Sequence, residues 1–351
     1  MSTLQISLAI AGGLVLAGVV AHSTWSSRRN APRQALPEPG DAAGHAGRVA
    51  QADGTEPSRT EPTFDDDLAA PPLPVPEKKP GMDALIDVIA PIALDAPVSG
   101  DAALAAMPPT RRAGSKPFAI EGFNEAAQHW ETPAPGQRYS AFQAGVQLAN
   151  RTGALNEIEY SEFVMKAQAF ADAVNGAPEF PEMLDEVARA RELDQFASDH
   201  DAQLGFSLRA QRAAWSPGYV QQNAARLGFV PGVIPGRMVL PASTAGLPPL
   251  LGLAFDTQAA MADDPAQSAL REVTLSLDVP QVDRGEQPFT RMREAAAALC
   301  AAMDGIVTDD NGQPLVPEAM DVIGTDLEQL YDTLDARDLS AGSALARRLF
   351  S

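Results

Sequence analysis

Glu272–Pro280 (EVTLSLDVP) and Pro288–Gly305 (PFTRMREAAAALCAAMDG) decide the fold of this chain. In the first piece Val273, Leu275, Leu277 and Val279 alternate with Thr274, Ser276 and Asp278, the period of a strand with one buried face. Pro280 lacks an N–H and ends it. In the second piece Phe289, Met292, Ala296, Leu299 and Met303 recur at steps of 3, 4, 3 and 4, which lines one face of a helix. Pro288 suits the first helical turn, and Gly305 ends the helix. Ile306 and Val307 run into Asp309-Asp310-Asn311-Gly312, whose Asn-Gly pair predicts a tight hairpin turn. From about Pro317 a last helix puts Met320, Ile323, Leu327, Leu330 and Leu334 on one face. The whole reads strand, helix, strand, helix.

The same pattern occurs upstream. A shift of 129 positions carries the helix face onto Tyr160, Phe163, Ala167, Phe170 and Val174, closed by Gly176. The same shift carries Leu275 and Leu277 onto Val146 and Leu148. A shift of 118 carries Asp201-Ala-Gln-Leu204 onto Asp83-Ala-Leu-Ile86. Strand, helix face and terminal glycine agree together, so the chain is expected to hold two related split β-α-β units in tandem.

Working outward, the second unit starts near Asp201, with Leu204, Phe206 and Leu208 alternating with Gly205 and Ser207. A helix from Ser216 to Leu227, two short extended pieces around Pro231 and Pro235, and a strand over Leu250–Phe255 follow. The order β-α-β-β-β-β-α-β-α implies an α+β fold, helices packed on one face of an antiparallel sheet. The first unit reads as a strand near Ile86–Ile92, a short helix at 100–107, a strand at Phe118–Ile120, Trp130 in a strand or loop, a turn at Pro135-Gly136, a strand at 140–149, and helices at 156–175 and 181–199. The expected domains are 1–22, 23–81, 82–198 and 199–343.

Residues 4–21 (LQISLAIAGGLVLAGVVA) carry no charge, and about 20 apolar residues span a bilayer core as a helix. Trp25 and then Arg28 and Arg29 follow, while no Lys or Arg precedes the run. This favours an uncleaved N-terminal transmembrane helix over a cleaved signal peptide. The positive-inside rule puts the N-terminus in the periplasm and the C-terminal domains in the cytoplasm. Residues 23–81 are poor in large apolar side chains and rich in Pro, Ala, Gly and acids, which predicts a disordered linker. Its Pro71-Pro-Leu-Pro-Val-Pro76 run favours extended polyproline geometry. A flexible linker of this length spans on the order of 40 Å.

The formal net charge of −20 argues against nucleic acid as a partner. The single cysteine, Cys300, cannot form an internal disulfide and reads as a small buried hydrophobe. His22, His45, His129 and His200 form no ligand cluster with Cys or carboxylates, so no metal is expected. His129 with Glu131, and His200 between Asp199 and Asp201, read as surface pairs. There is no phosphate loop and no nucleophile elbow. The Asp309–Gly312 turn lacks the spacing of a calcium loop. No catalytic residues and no cofactor are expected.

Four features resemble the ZipA family of membrane-tethered bacterial division proteins. After the apolar run, His22-Ser-Thr-Trp25-Ser-Ser27-Arg28 is similar to the family's His-x-x-Trp-x-Ser-Arg pattern. The Pro-rich linker matches in kind. Ala224–Phe229 (AARLGF) resembles the end of the domain's first helix. The order of Leu250–Ala254, Val273–Pro280, the helix ending in Gly305, Ile306-Val307 and Asp309-Asp310 is the most specific part. Residues 82–197 have no counterpart in the usual layout of the family.

The resemblance implies a six-stranded antiparallel sheet backed by three helices, whose open face takes up the C-terminal peptide of FtsZ by apolar anchors. Alternation puts Leu204, Phe206, Leu251, Leu253, Phe255, Leu275 and Leu277 under the helices. It leaves Gln203, Gly205, Ile234, Ala254, Asp256 and Ser276 for the partner. The family carries mainly large apolar residues at the cleft positions, and only Ile234 keeps that character. The implied function is a non-catalytic, single-pass tether at the bacterial inner membrane and division site, holding FtsZ filaments during septation beside other division proteins. Two readings stay open beside it: a membrane-anchored periplasmic module that binds peptidoglycan, and a hydrolase with an unrecognised site.

Overall fold

The computed structural model describes residues 32–35, 81–309 and 311–351. The expected span at 4–21 and most of the expected linker lie outside the described residues. Among the described residues, no helix is long and apolar enough to cross a membrane.

The fold is α+β, with antiparallel sheets. In order come β1 (Asp87–Ser99), α1 (Gly100–Ala106), β2 (Arg112–Ala113), β3 (Lys116–Asn124), β4 (His129–Glu131), β5 (Arg138–Gln147), β6 (Ala149–Asn150), β7 (Gly153–Ala154), α2 (Glu157–Ala173), β8 (Gly176–Pro178) and α3 (Met183–His200). There follow β9 (Gln203–Ala210), α4 (Pro217–Ala225), β10 (Val230–Pro231), β11 (Arg237–Leu240), β12 (Leu251–Ala254), α5 (Thr257–Ala260), β13 (Glu272–Asp278), α6 (Pro288–Met303), β14 (Gly305–Thr308), α7 (Pro317–Asp335) and α8 (Ala344–Leu349). The first sheet runs β2-β3-β5-β1-β8 with β4 on β3, and the second runs β10-β11-β12-β13-β9-β14. Two compact units result, one of residues 81–204, 276–293 and 315–351, the other of 205–275 and 294–314 with 32–35.

Alternation builds the first core. Val88, Ala90 and Ile92 of β1 pair with Val146, Ala144 and Phe142 of β5 and turn inward. Phe118 and Ile120 of β3 join the same layer. Helix α2 lies over it, with Phe163 6.1 Å from Phe118 and Phe170 edge-on at 5.1 Å from Phe142. Asn156 and Glu159 close its first turn reciprocally, each taking up N–H groups the helix leaves unpaired.

The two sheets share an arrangement. The last sheet strand before the long helix (β5, with the small β6–β7 pair intervening, and β13) and the strand after it (β8, β14) flank the same central strand (β1, β9). Strand β8, absent from the sequence reading, is what completes the correspondence. The helix ends also correspond, and they correct one expectation. The left-handed residue is Asn175 (φ 53°) after α2 and Asp304 (φ 59°) after α6, residue types that tolerate this region. Gly305 instead sits in a tight place: a Cβ there would lie 3.1 Å from the Trp215 ring, which would have to give by a few tenths of an ångström. At Gly176 it would lie 2.6 Å from Ile92.

Residues 32–35 are a second difference. Composition places them inside a solvated linker, yet Arg33 forms a parallel bridge with Trp215. A third is α8, a short helix capped by Ser343 that buries Ala346 and Leu349. Its Arg348 donates to Asp87 Oδ1 at 2.5 Å.

Burial of Asp87 pushes its carboxyl above the usual carboxylate range, and the Arg348 guanidinium offsets only part of that. The folded chain therefore holds this proton where the unfolded chain, titrating near 3.8, has lost it. Stability from this group is full below that pH and falls as pH rises through the folded value. Thermal melts between pH 4 and 7 are expected to show Asp87→Asn gaining on the native chain as pH rises. A pH-independent difference between the two would contradict the raised value.

Candidate functional site

The second sheet turns Phe206, Leu208, Leu251, Leu253, Val273, Leu275 and Leu277 inward, and all are buried. Leu204, expected with them, is half-buried at the start of β9. The opposite face is open. Gln203 and Gly205 on β9 and Ser276 on β13 are exposed, and Ala254 on β12 is half-buried. Arg237 pairs with Ala254, and Val239 with Gly252, extending this face onto β11. A Cβ at Gly205 would meet nothing nearer than Thr274 Cγ2 at 4.0 Å, so the position borders open space.

Two of the expected residues sit apart from the strands. Ile234, 57% exposed, lies in the β10–β11 connection beside the exposed Val233. Its carbonyl accepts the Arg237 N–H at 3.1 Å, which closes that turn. Asp256 follows β12, and its carboxylate accepts the Gln258 N–H at 2.9 Å as the cap of α5. Asp256 is thus partly committed to local structure.

The far end of the face is closed. Arg209 Nε lies 2.9 Å from Glu272, and the Ser207 hydroxyl donates to the same carboxylate at 3.0 Å. A tight turn follows β14, with the Gly312 N–H donating to the Asp309 carbonyl at 3.0 Å, so the Asn-Gly pair fills its last two positions and not its centre. Asp309 Oδ1 accepts the N–H groups of Asn311 and Gln313 at 2.9 and 2.7 Å, and Gly312 takes φ 80° beside the Arg209 guanidinium. What remains open is polar and small-featured. It can offer the Gln203 amide and a shallow, small-featured surface to an incoming segment, and few apolar anchors.

The sequence shifts map Gly205 onto Asp87 and Ser276 onto Gln147, which are cross-strand partners in the first sheet. That end of the first sheet is occupied by α8. Arg348 binds Asp87, and Gln147 Nε2 donates to the Arg348 carbonyl at 2.8 Å. The chain thus already seats a short helix at the place that corresponds to the expected site.

The first sheet also carries an open face. Ile89, Pro91 and Ala93 of β1 face the same way as Ala141, Gln143 and Gly145 of β5, with Met82 covering Gly145 and the Gln143 amide donating to Glu121 at 2.8 Å. Phe123 and Trp130 stack edge-on there at 5.4 Å, with Trp130 38% exposed. This apolar surface escaped the sequence reading because Trp130 lies on a three-residue strand, too short to show a period.

Little else suggests chemistry. His129 pairs with Glu131 at 3.2 Å as expected. His200 instead stacks on Phe196, with ring centroids 4.3 Å apart, and donates from Nδ1 to the Phe196 carbonyl at 2.7 Å. Cys300 is buried, and that burial pushes its thiol up to about 11, the value of an unreactive packing residue. Among the described residues no group of three or more His, Cys, Asp or Glu could hold a metal.

Residues 259–325 match the family of the C-terminal FtsZ-binding domain of ZipA. Over this stretch, which holds β13, α6, β14 and the start of α7, the chain is ZipA-like. No curated protein matches the chain.

Proposed function

We propose that this chain tethers FtsZ filaments to the bacterial inner membrane by holding the FtsZ C-terminal tail, without catalysis. The match of residues 259–325 to an FtsZ-binding domain carries this reading. The apolar run at 4–21 serves as the anchor, with the N-terminus periplasmic and the folded part cytoplasmic at the division site. Tethering raises the effective concentration of the binding sheet along the membrane, so modest affinity per site suffices. The two sheets are copies of one ancestral unit, and the tail docks on the second at Gln203, Gly205 and Ser276, with Ile234, Ala254 and Asp256 at its flank. Docking of α8 at the corresponding end of the first sheet supports this placement.

The test is fluorescence anisotropy with a labelled FtsZ tail peptide and the full chain. Saturable binding is expected. Gly205→Trp should weaken it at least tenfold, about 1.4 kcal/mol, with an unchanged melting temperature, because the added ring projects into open space. No binding at hundreds of micromolar would sink the reading. The Phe123–Trp130 face favours a second one, in which the tail docks on the first sheet. In that case Trp130→Ala weakens binding and Gly205→Trp does not.

A further inference from the structure

We propose that residues 32–35 are a latch, and that Ala214–Ser216 with the C-terminal end of α6 form the docking site for this segment of the same chain. The Arg33 N–H donates to the Ala214 carbonyl at 2.7 Å, and the Ser216 N–H donates to the Arg33 carbonyl at 2.8 Å. These two bonds embrace Trp215 from one side, as a neighbouring parallel strand does. On its other side Trp215 exchanges two backbone bonds with Leu270, both 2.8 Å. The Arg33 guanidinium donates to the Met303 carbonyl at 3.2 Å and to Asp304 Oδ2 at 2.9 Å. A helix C-terminus presents unpaired carbonyls and partial negative charge, and an arginine answers both. Ala35 lies 3.8 Å from where a Gly218 Cβ would sit, at the start of α4. Main chain, charge and side-chain fit agree on one register.

The latch is built to open. Arg33 and Asp304 side chains are 35% and 27% exposed, and among the described residues Arg33 alone carries the bridge. When closed it pins one point of the 23–81 stretch, Arg33, to the folded unit. With the anchor reading proposed above, about ten residues then join the membrane span to the docked segment, a reach of about 35 Å at full extension. When open, that point is released. The latch thus sets how far from the membrane the unit that holds it can work.

Amide hydrogen exchange on the full chain tests this without reference to FtsZ or to membranes. Arg33→Glu is expected to speed exchange of the Ser216 amide at least tenfold. The amides of Trp215 and Leu270, which bond to each other, should keep their rates. Asp304→Asn keeps a residue that tolerates the left-handed backbone, and should act in the same direction to a smaller degree. An unchanged Ser216 rate in both variants overturns the latch. So does equal acceleration at Ser216, Trp215 and Leu270, which marks a weakened fold. Ser216 protection that grows with protein concentration overturns the assignment to the same chain, because a second copy would then supply the segment.

Discussion

Replacing Trp215 by Ala is expected to cost about 3–5 kcal/mol, the range for removing a large buried aromatic side chain. The side chain is fully buried, and its Nε1 donates to the Met303 carbonyl at 2.7 Å. The ring lies close against the main chain at Gly305, where a Cβ would come within 3.1 Å of it. Truncation therefore opens a cavity and removes a bond at the end of α6 together. Whole domains are held by about 5–15 kcal/mol, so the loss should leave a substantial fraction of this unit unfolded. Trp215→Phe fills most of the cavity and should recover all but the hydrogen bond, about 1 kcal/mol. Urea unfolding followed by circular dichroism gives both values. A loss under 1 kcal/mol for the alanine variant would mean that the ring is not what joins these elements.

Gly100→Ala is expected to destabilise by about 3 kcal/mol or more, beyond the usual cost of overfilling a core. Gly100 opens α1 and donates its N–H to the Gln137 carbonyl at 2.8 Å. A Cβ there would overlap the Ala134 carbonyl oxygen and lie 2.9 Å from its carbon. A backbone carbonyl cannot swing aside as a side chain can, so the Ala134–Gln137 turn must shift as a body. Gly205→Ala is the control, because its Cβ enters open space. Thermal unfolding should separate the two variants widely. Equal melting temperatures would show that the turn yields freely.

Much of the fold was legible wherever a period had room to repeat. Seven residues of β13 and sixteen of α6 are long enough for alternation and helical spacing to separate. The expected order β-α-β-β-β-β-α-β-α over the second sheet holds except for one element, the four-residue helix α5 between β12 and β13, which is too short to show a period. Short elements escaped for the same reason. Strand β8 has three residues and α8 six, and neither length shows a pattern. The docked segment at Arg33 escaped because one bridged residue inside a Pro- and Ala-rich stretch looks like its neighbours. Reading Gly305 as the helix stop was a local inference. The crowding at that glycine comes from Trp215, ninety positions earlier in the sequence.

At the candidate site, alternation placed Gln203, Gly205 and Ser276 on the exposed side, where they are. It could not show that Arg209, Glu272 and the Asp309 turn close the other end, since those groups meet only when β9, β13 and β14 are assembled. Nor could it separate Asp256 from the face: a capping carboxylate and a ligand-facing one look alike in a sequence.

Helix α8 decides where instruments can be attached. Leu349 and Phe350 are interior, and the Arg151 N–H donates to the Ser351 carbonyl at 3.2 Å. The exposed Met261, beyond α5, is the better place for a dye. Maleimide introduced through Met261→Cys would meet no competing thiol, because Cys300 is buried.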